Sequence, residues 1–159
     1  MRNQAAFAAR GLYARGMPNS YHWFVVVDSQ KARLLRAART QKGSPHLEEM
    51  ASLQNSFLAG EHHRPDRMGA PGRGASFGHE QEEKLAHFAR EVTPWLHKEF
   101  TAHSVAQCAL FAPAHTLGAL RKVFDKQLVA KLVEHDVELA GLPLAQLGAH
   151  PRIVALLAS

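Results

Sequence analysis

The sequence feature that most restricts the fold is a short, almost entirely apolar segment, residues 105–113. An apolar run of this length without polar alternation is typical of a central strand that is covered on both faces. Amphipathic helical patterns flank it, because apolar residues recur every three or four positions in 80–100 before it and in 114–132 after it. A buried strand between two such helices predicts an α/β domain in which helices pack on a β-sheet.

Three more strand-like segments lie nearer the amino terminus, at 23–28, 31–39 and 46–54. The first is apolar and β-branched, and polar turn residues follow it. The second would suit a helix by propensity alone, but its position just after a strand favours the return strand of a hairpin. The remaining predicted elements are a final strand within 133–142 and short helical pieces at 144–147 and 153–157. This order predicts a mixed β-sheet with helices packed on it.

The 159 residues match one domain of ordinary size, with hydrophobic and charged fractions of 46% and 21% that are typical of globular proteins. We expect residues 1–20 to be a flexible extension and residues 21–159 to form a single domain. The extension carries Arg2, Arg10 and Arg15 without any acidic residue. That is also the pattern of an arginine-rich targeting sequence, so two explanations stay open. No apolar run is long enough to span a membrane, and the lack of a secretory signal pattern predicts a cytoplasmic location.

Between the third strand and the first helix lies a long irregular run, residues 55–79. It holds five glycines, two prolines, three arginines and three histidines, a composition that predicts a loop without secondary structure of its own. Such long loops in compact domains are usually functional or disordered. The run is therefore the first place to look for a binding site.

The chemistry of this run suits the backbone of RNA. Glycines let amides approach a phosphate, and an arginine can make a bidentate contact to it. The net charge of +5 also favours an anionic partner. The alternative is a solvated loop that binds nothing. The residues predicted to bind nucleic acid are Arg64, Arg67, Gly72, Arg73, Gly74, Ser76 and His79.

A second candidate anion site lies where the central strand passes into the next helix. Ligands of such sheets gather at the carboxyl ends of strands, and the amides at a helix start can hold an anion. His115 and Thr116 occupy that position. The alternative is a histidine that merely flanks the beginning of a helix.

Other chemistries are less well supported. Glu61, His62, His63 and His79 offer metal-ligand atoms, but adjacent histidines aim poorly at one ion, so no metal is predicted. Ser76, His79 and Glu80 lie close in sequence, yet no Gly-x-Ser-x-Gly elbow accompanies them. No catalytic residue and no cofactor is therefore predicted. The lone Cys108 excludes an intrachain disulfide and is expected to be buried in the apolar strand.

Three segments together resemble a known family. They are WFVVVDSQKARLL at 23–35, LFAPAHTLGALRKVF at 110–124 and VEHDVELAGLPLAQL at 133–147. They resemble the opening hairpin, the strand-to-helix segment and the closing strand of the bacterial host attachment proteins, which are described as required for attachment to host cells. The closing strand of that family has a Lys-Asp-Leu-Thr core, from which residues 135–138, His-Asp-Val-Glu, depart.

That family is similar in turn to the middle domain of archaeo-eukaryotic peptide-chain release factors. The resemblance implies a ribonuclease-H-like α/β fold with a long loop before a long helix. In release factors this loop carries Gly-Gly-Gln into the peptidyl-transferase centre, whereas the comparable residues 72–76 here end in Ala75 and Ser76. The resemblance therefore implies a non-catalytic domain that engages RNA or the ribosome. A protein-interaction factor in cell attachment and a small hydrolase using the loop histidines stay as alternatives.

Overall fold

The computed structural model describes residues 21–38, 46–57 and 73–158, the side chains of 73–78 and 158 excepted. These residues form five strands and five helices of 6 or more residues. The strands are β1 (Tyr21–Val27), β2 (Lys31–Ala38), β3 (His46–Gln54), β4 (Cys108–Ala112) and β5 (Leu132–Asp136). The helices are α1 (Arg73–Ala102), α2 (Ala114–Val123), α3 (Lys126–Lys131), α4 (Leu144–Ala149) and α5 (Pro151–Ala158).

The strands form one mixed sheet in the order β3-β2-β1-β4-β5. The first three strands are antiparallel neighbours, whereas β1 pairs with β4 and β4 with β5 in parallel. The parallel connections run through helices, because parallel neighbours need a long crossover connection. This arrangement confirms the mixed, ribonuclease-H-like α/β fold, and the carboxyl ends of β1, β4 and β5 meet at one edge of the sheet.

Both faces of the sheet are covered, which explains the unbroken apolar sequence of its central strands. All five residues of β4 are buried, as predicted. In β1, Val25 and Val27 face a cluster that contains the apolar residues of α1, α2 and α3. Phe24 and Val26 face a smaller cluster formed with the carboxyl-terminal segment, including Leu139, α4 and α5. Alternating residues of one strand therefore serve two separate cores.

Helix α1 buries the predicted apolar stripe. Its members are at most 5% exposed, and they are Leu85, Phe88, Val92, Leu96 and Phe100. The helix contains Pro94, and Trp95 packs in the core. The predicted beginning at residue 80 is wrong, because α1 begins at Arg73 and takes in the last part of the run predicted to be irregular.

The end of α1 has the hydrogen bonds of a Schellman motif. The N–H of Val105 donates to the carbonyl of Phe100 at 2.9 Å, and that of Ser104 to the carbonyl of Thr101 at 3.3 Å. Ser104 adopts the left-handed conformation this motif requires, with φ 54°. Glycine is the usual residue there because a Cβ atom makes that conformation unfavourable.

The predicted single helix at 114–132 is wrong, because the chain breaks between α2 and α3. Asp125 is extended, with φ −90° and ψ 176°, and its side chain accepts a hydrogen bond from the N–H of Leu128. A capping aspartate starts a new helix even though the apolar pattern continues through it. The last strand, predicted within 133–142, runs from Leu132 to Asp136, and the chain after it turns to bury Leu139 and Ala140 against the sheet.

None of the helices described is long and apolar enough to cross a membrane.

Candidate functional site

The beginning of the glycine-rich run is held in place by Asn55, which is only 2% exposed. Its N–H donates to the carbonyl of Gln30 at 2.8 Å, and its side-chain amide donates to the carbonyls of Ser29 and Lys84 at 2.9 and 3.1 Å. Its side-chain oxygen accepts from the N–H of Phe57 at 3.0 Å. One buried side chain thus joins the β1–β2 turn, the middle of α1 and the start of the run.

Ser56 adds a second connection to α1. Its N–H donates to Glu91 Oε1 at 3.1 Å and its hydroxyl donates to Glu91 Oε2 at 2.5 Å. Its Oγ also lies 2.9 Å from His87 Nε2, and the ring of Phe57 lies 5.6 Å from the His87 ring. We call residues 55–57 with His87 and Glu91 the loop anchor. Hydrogen bonds to a carboxylate are stronger than neutral ones, so this contact is well suited to fix the chain.

The anchor combines a serine, a histidine and a carboxylate, but not in the geometry of a serine hydrolase. There the serine hydroxyl donates to one ring nitrogen while the carboxylate holds the other. Here the Ser56 hydroxyl donates its hydrogen bond to Glu91. The same ring nitrogen, His87 Nε2, lies 2.9 Å from Ser56 Oγ and 3.5 Å from Glu91 Oε2. The N–H groups of Ser56 and Phe57 are also engaged. The arrangement holds the chain rather than activating the serine.

The loop anchor lies at the edge where the carboxyl ends of the parallel strands meet. Asn55 bonds to Ser29 and Gln30, which directly follow β1. Pro113 directly follows β4, the parallel neighbour of β1. The topology therefore places the beginning of the glycine-rich run and the beginning of α2 on the same edge of the sheet, where ligands of open α/β sheets usually bind.

At the start of α2, only one of the two predicted anion-binding side chains is on the surface. Pro113 precedes the helix in extended conformation and makes no side-chain cap. The first amides of a helix lack partners within it, so 114–116 present N–H groups at this edge. The side chain of His115 is exposed, whereas Thr116 is 4% exposed and packs inward.

The predicted nucleic-acid-binding residues fall into two groups. Arg64, Arg67 and Gly72 lie outside the described residues, as do the candidate metal ligands Glu61, His62 and His63. The main chain of Arg73, Gly74 and Ser76 belongs to the first turns of α1, together with His79. The expectation that Gly74 supplies a non-helical backbone is therefore wrong.

His79 is strongly exposed, with 73% of its side chain accessible, and its Nε2 lies 3.8 Å from Glu83 Oε2. Similar pairs recur four residues apart on α1. They are His87 with Glu91 and Glu99 with His103, both at 3.5 Å. This spacing is visible in the sequence and would have identified the anchor pair on α1. No cluster of three or more possible metal ligands occurs among the described residues.

Cys108 is buried, as predicted, and burial raises the pKa of its thiol well above the usual range. A thiol in this state is a poor nucleophile, since the thiolate is the reactive form. Cys108 is therefore a packing residue of β4.

The chain matches a known protein family over most of its length. The model of bacterial archaeo-eukaryotic release factor family 12 matches residues 22–150, which is most of the chain. The match covers all five strands apart from Tyr21, the first residue of β1, and it includes the loop anchor. No curated protein matches the chain.

Proposed function

The chain belongs to the bacterial archaeo-eukaryotic release factor family 12, and on that premise we propose that it is a non-catalytic domain that binds RNA, on the ribosome, through its glycine-rich segment. The segment is residues 58–72, with Arg73 and His79 at the start of α1. Arg64, Arg67 and Arg73 supply positive charge for phosphates, and the candidate anion site at His115 lies on the same edge of the sheet. Charge of this kind gives affinity without sequence preference.

The loop anchor is the observation that carries the proposal. It fixes Phe57 beside His87, while the chain re-enters the described fold at Arg73. Along a helix these two points are about 21 Å apart, at ~1.5 Å per residue. An extended chain of the intervening length reaches about 50 Å. The intervening residues are therefore more than enough to connect the loop anchor to the start of α1, which supports a segment that reaches a partner.

The start of α1 supports the non-catalytic part of the proposal. The resemblance places Ala75 and Ser76 where release factors have Gly-Gln, and both residues lie in the first turns of α1. Alanine and serine lack the side-chain amide that positions the hydrolytic water in release factors. Peptidyl-tRNA hydrolysis by that route is therefore not part of the proposed activity.

A protein-interaction role, such as the attachment to host cells that the resemblance implies, is the second candidate. It is favoured by apolar exposure at the β5 end of the sheet. Val129 on α3 and Val133 on β5 are 55% and 46% exposed, and β5 is an edge strand. Edge strands offer unpaired main-chain groups to a partner strand.

Co-sedimentation with ribosomes at low and high salt tests the first proposal. We expect the wild-type chain to co-sediment at low salt and to dissociate as salt rises. Replacing Arg64, Arg67 and Arg73 with Gln should abolish the association.

The control replaces Lys122, Lys126 and Arg152, three exposed cations outside the segment, with Gln. It removes the same charge and should bind nearly as wild type. Equal behaviour of the two variants would count against the proposal. Binding only to a protein fraction, unchanged by salt, would favour the second candidate.

A further inference from the structure

A groove of about 680 Å³ lies at the amino ends of the parallel strands, on the side of the sheet opposite the loop anchor. It opens where β1 and β4 begin, and its wall includes Tyr21, Trp23, Ser104, Gln107 and His135. Its volume falls within the range of small-molecule sites. It shares no residue with the loop anchor, so the two sites are separate.

One wall of the groove is aromatic. The rings of Tyr21 and Trp23 meet edge to face at 6.4 Å, and His103 packs against Trp23 at 5.4 Å. Tyr21 stays 44% exposed although the Arg36 guanidinium lies over its ring at 4.2 Å. An exposed aromatic ring that its neighbours hold in place is a preorganised surface on which the planar ring of a ligand can stack.

The groove also presents hydrogen-bond donors and acceptors. The Gln107 side chain is exposed and carries one acceptor and two donors on a planar amide. Ser104, which is exposed beside it, holds its strained left-handed conformation at the groove wall. An amide next to aromatic rings can pair with the edge of a ligand while the rings contact its face.

His135 adds a polar atom that lacks a partner. Its ring stacks on Phe111 at 4.8 Å with an interplanar angle of 19°, and its Nε2 is buried without a hydrogen bond to any residue of the described structure. Such orphaned atoms are rare because they have lost water without gaining a partner. Desolvation and the nearby Arg152 lower the His135 pKa, so the ring is neutral at neutral pH and can donate or accept.

The lining carries no Lys, Arg, Asp or Glu within the described ranges. Two cations lie beside this lining: Arg36, which is already paired with Glu48, and Arg152 near His135. The lining itself is uncharged, which favours an uncharged ligand ring. We propose that the groove binds an uncharged, planar, hydrogen-bonding heteroaromatic ring, namely a nucleobase. Tyr21 and Trp23 contact its face and Gln107 pairs with its edge. The base comes either from a free nucleoside or from an unstacked position in single-stranded RNA.

The two indole N–H signals of the chain, from Trp23 and Trp95, provide a direct measurement by nuclear magnetic resonance. Adenosine, guanosine, cytidine and uridine are titrated into the full-length protein to millimolar concentration. We expect at least one of them to shift the Trp23 indole and Gln107 amide signals saturably, while the core Trp95 signal stays in place.

Two substitutions test the contacts. Tyr21→Ala should weaken binding about five- to a hundredfold, the range measured for stacking of single bases on aromatic residues. Gln107→Ala should weaken it severalfold, whereas Gln146→Ala, which removes an exposed glutamine on α4, should leave affinity unchanged. The loop variant with Arg64, Arg67 and Arg73 replaced should bind nucleosides as wild type does. A short single-stranded RNA that shifts the same signals, while nucleosides do so more weakly, identifies RNA as the source of the base.

The inference is overturned if no nucleoside and no RNA moves the Trp23 signal. It is also overturned if indole, which lacks the hydrogen-bonding edge of a base, binds equally well. A Trp23 signal that depends on protein concentration instead would assign the groove to contact between copies of the chain and contradict a nucleobase site.

Discussion

Ser56 donates both its main-chain N–H and its hydroxyl to the carboxylate of Glu91, one hydrogen bond to each carboxylate oxygen. A residue at the end of β3 is thus held to a helix that follows it in the chain only after the whole glycine-rich segment. The contact fixes where the segment leaves the fold. The proposal assigns contact with a partner to the part of the chain that carries Arg64 and Arg67.

The first prediction concerns this contact. Glu91→Gln keeps the size of the side chain but removes the charge that strengthens both hydrogen bonds. We expect the free energy of unfolding to fall by about 1 kcal/mol, with faster hydrogen exchange at the N–H groups of Ser56 and Phe57. Glu138→Gln, at an exposed position elsewhere, serves as the control. Unchanged exchange at Ser56 in the Glu91 variant would show that the contact does not hold the segment.

Asn55 should matter more than Ser56, because it is buried and its side chain makes three hydrogen bonds. Asn55→Ala removes the buried amide that donates to the carbonyls of Ser29 and Lys84, and we expect a loss of about 2–3 kcal/mol. Asn55→Asp keeps the acceptor for Phe57 but removes both donors, so it should be nearly as destabilising. Urea unfolding measures both. A loss well below 1 kcal/mol for both variants would contradict the role assigned to Asn55.

At the end of α1 the chain can be made more stable. Ser104 holds a left-handed conformation that glycine adopts without steric cost. We expect Ser104→Gly to raise the free energy of unfolding by about 1 kcal/mol, and Ser104→Val to lower it. Thermal unfolding of the three proteins checks the order. A glycine variant less stable than wild type would mean that the serine side chain stabilises the fold here.

The cap of α3 should make stability depend on pH. A hydrogen bond from the N–H of Leu128, and then one from His97, lower the pKa of Asp125 below its usual 3.8. A lowered carboxylate pKa adds stability above the unfolded-state value, and this is lost as the pH falls through the folded-state value. Asp125→Asn should therefore be less stable than wild type at neutral pH, and the difference should shrink below pH 3.8. Unfolding curves from neutral to acidic pH measure it. A constant difference would exclude a charge effect.

The strands could be predicted because their signal is local. The bounds of β3 and the hairpin of β1 and β2 follow from apolar runs and turn residues, and β4 from its lack of polar alternation. The break before α3 was missed because the apolar pattern passes through Asp125 to Leu128. The early start of α1 was missed because Gly74 and Gly78 are poor helix formers, and the packing of the rest of the helix outweighs their propensity.

The loop anchor and the groove could not be predicted, since both depend on contacts between distant parts of the chain. Nothing near Asn55 in the sequence indicates that its amide meets Lys84, and nothing near His135 indicates that its ring stacks on Phe111. Only the spacing of four between His87 and Glu91 was available as a local signal. The assignment of the arginines to RNA binding rests on their residue type and on the position of the loop anchor, from which the segment starts.

The most direct test of the central claim is the salt dependence of RNA affinity. The logarithm of the binding constant falls linearly with the logarithm of salt concentration, with a slope of about 0.7 for each phosphate neutralised on a single strand. If Arg64, Arg67 and Arg73 each contact a phosphate, their replacement with Gln should reduce the slope by about 2 as well as weaken binding. The same slope in the variant and the wild type would contradict the claim that this segment binds RNA.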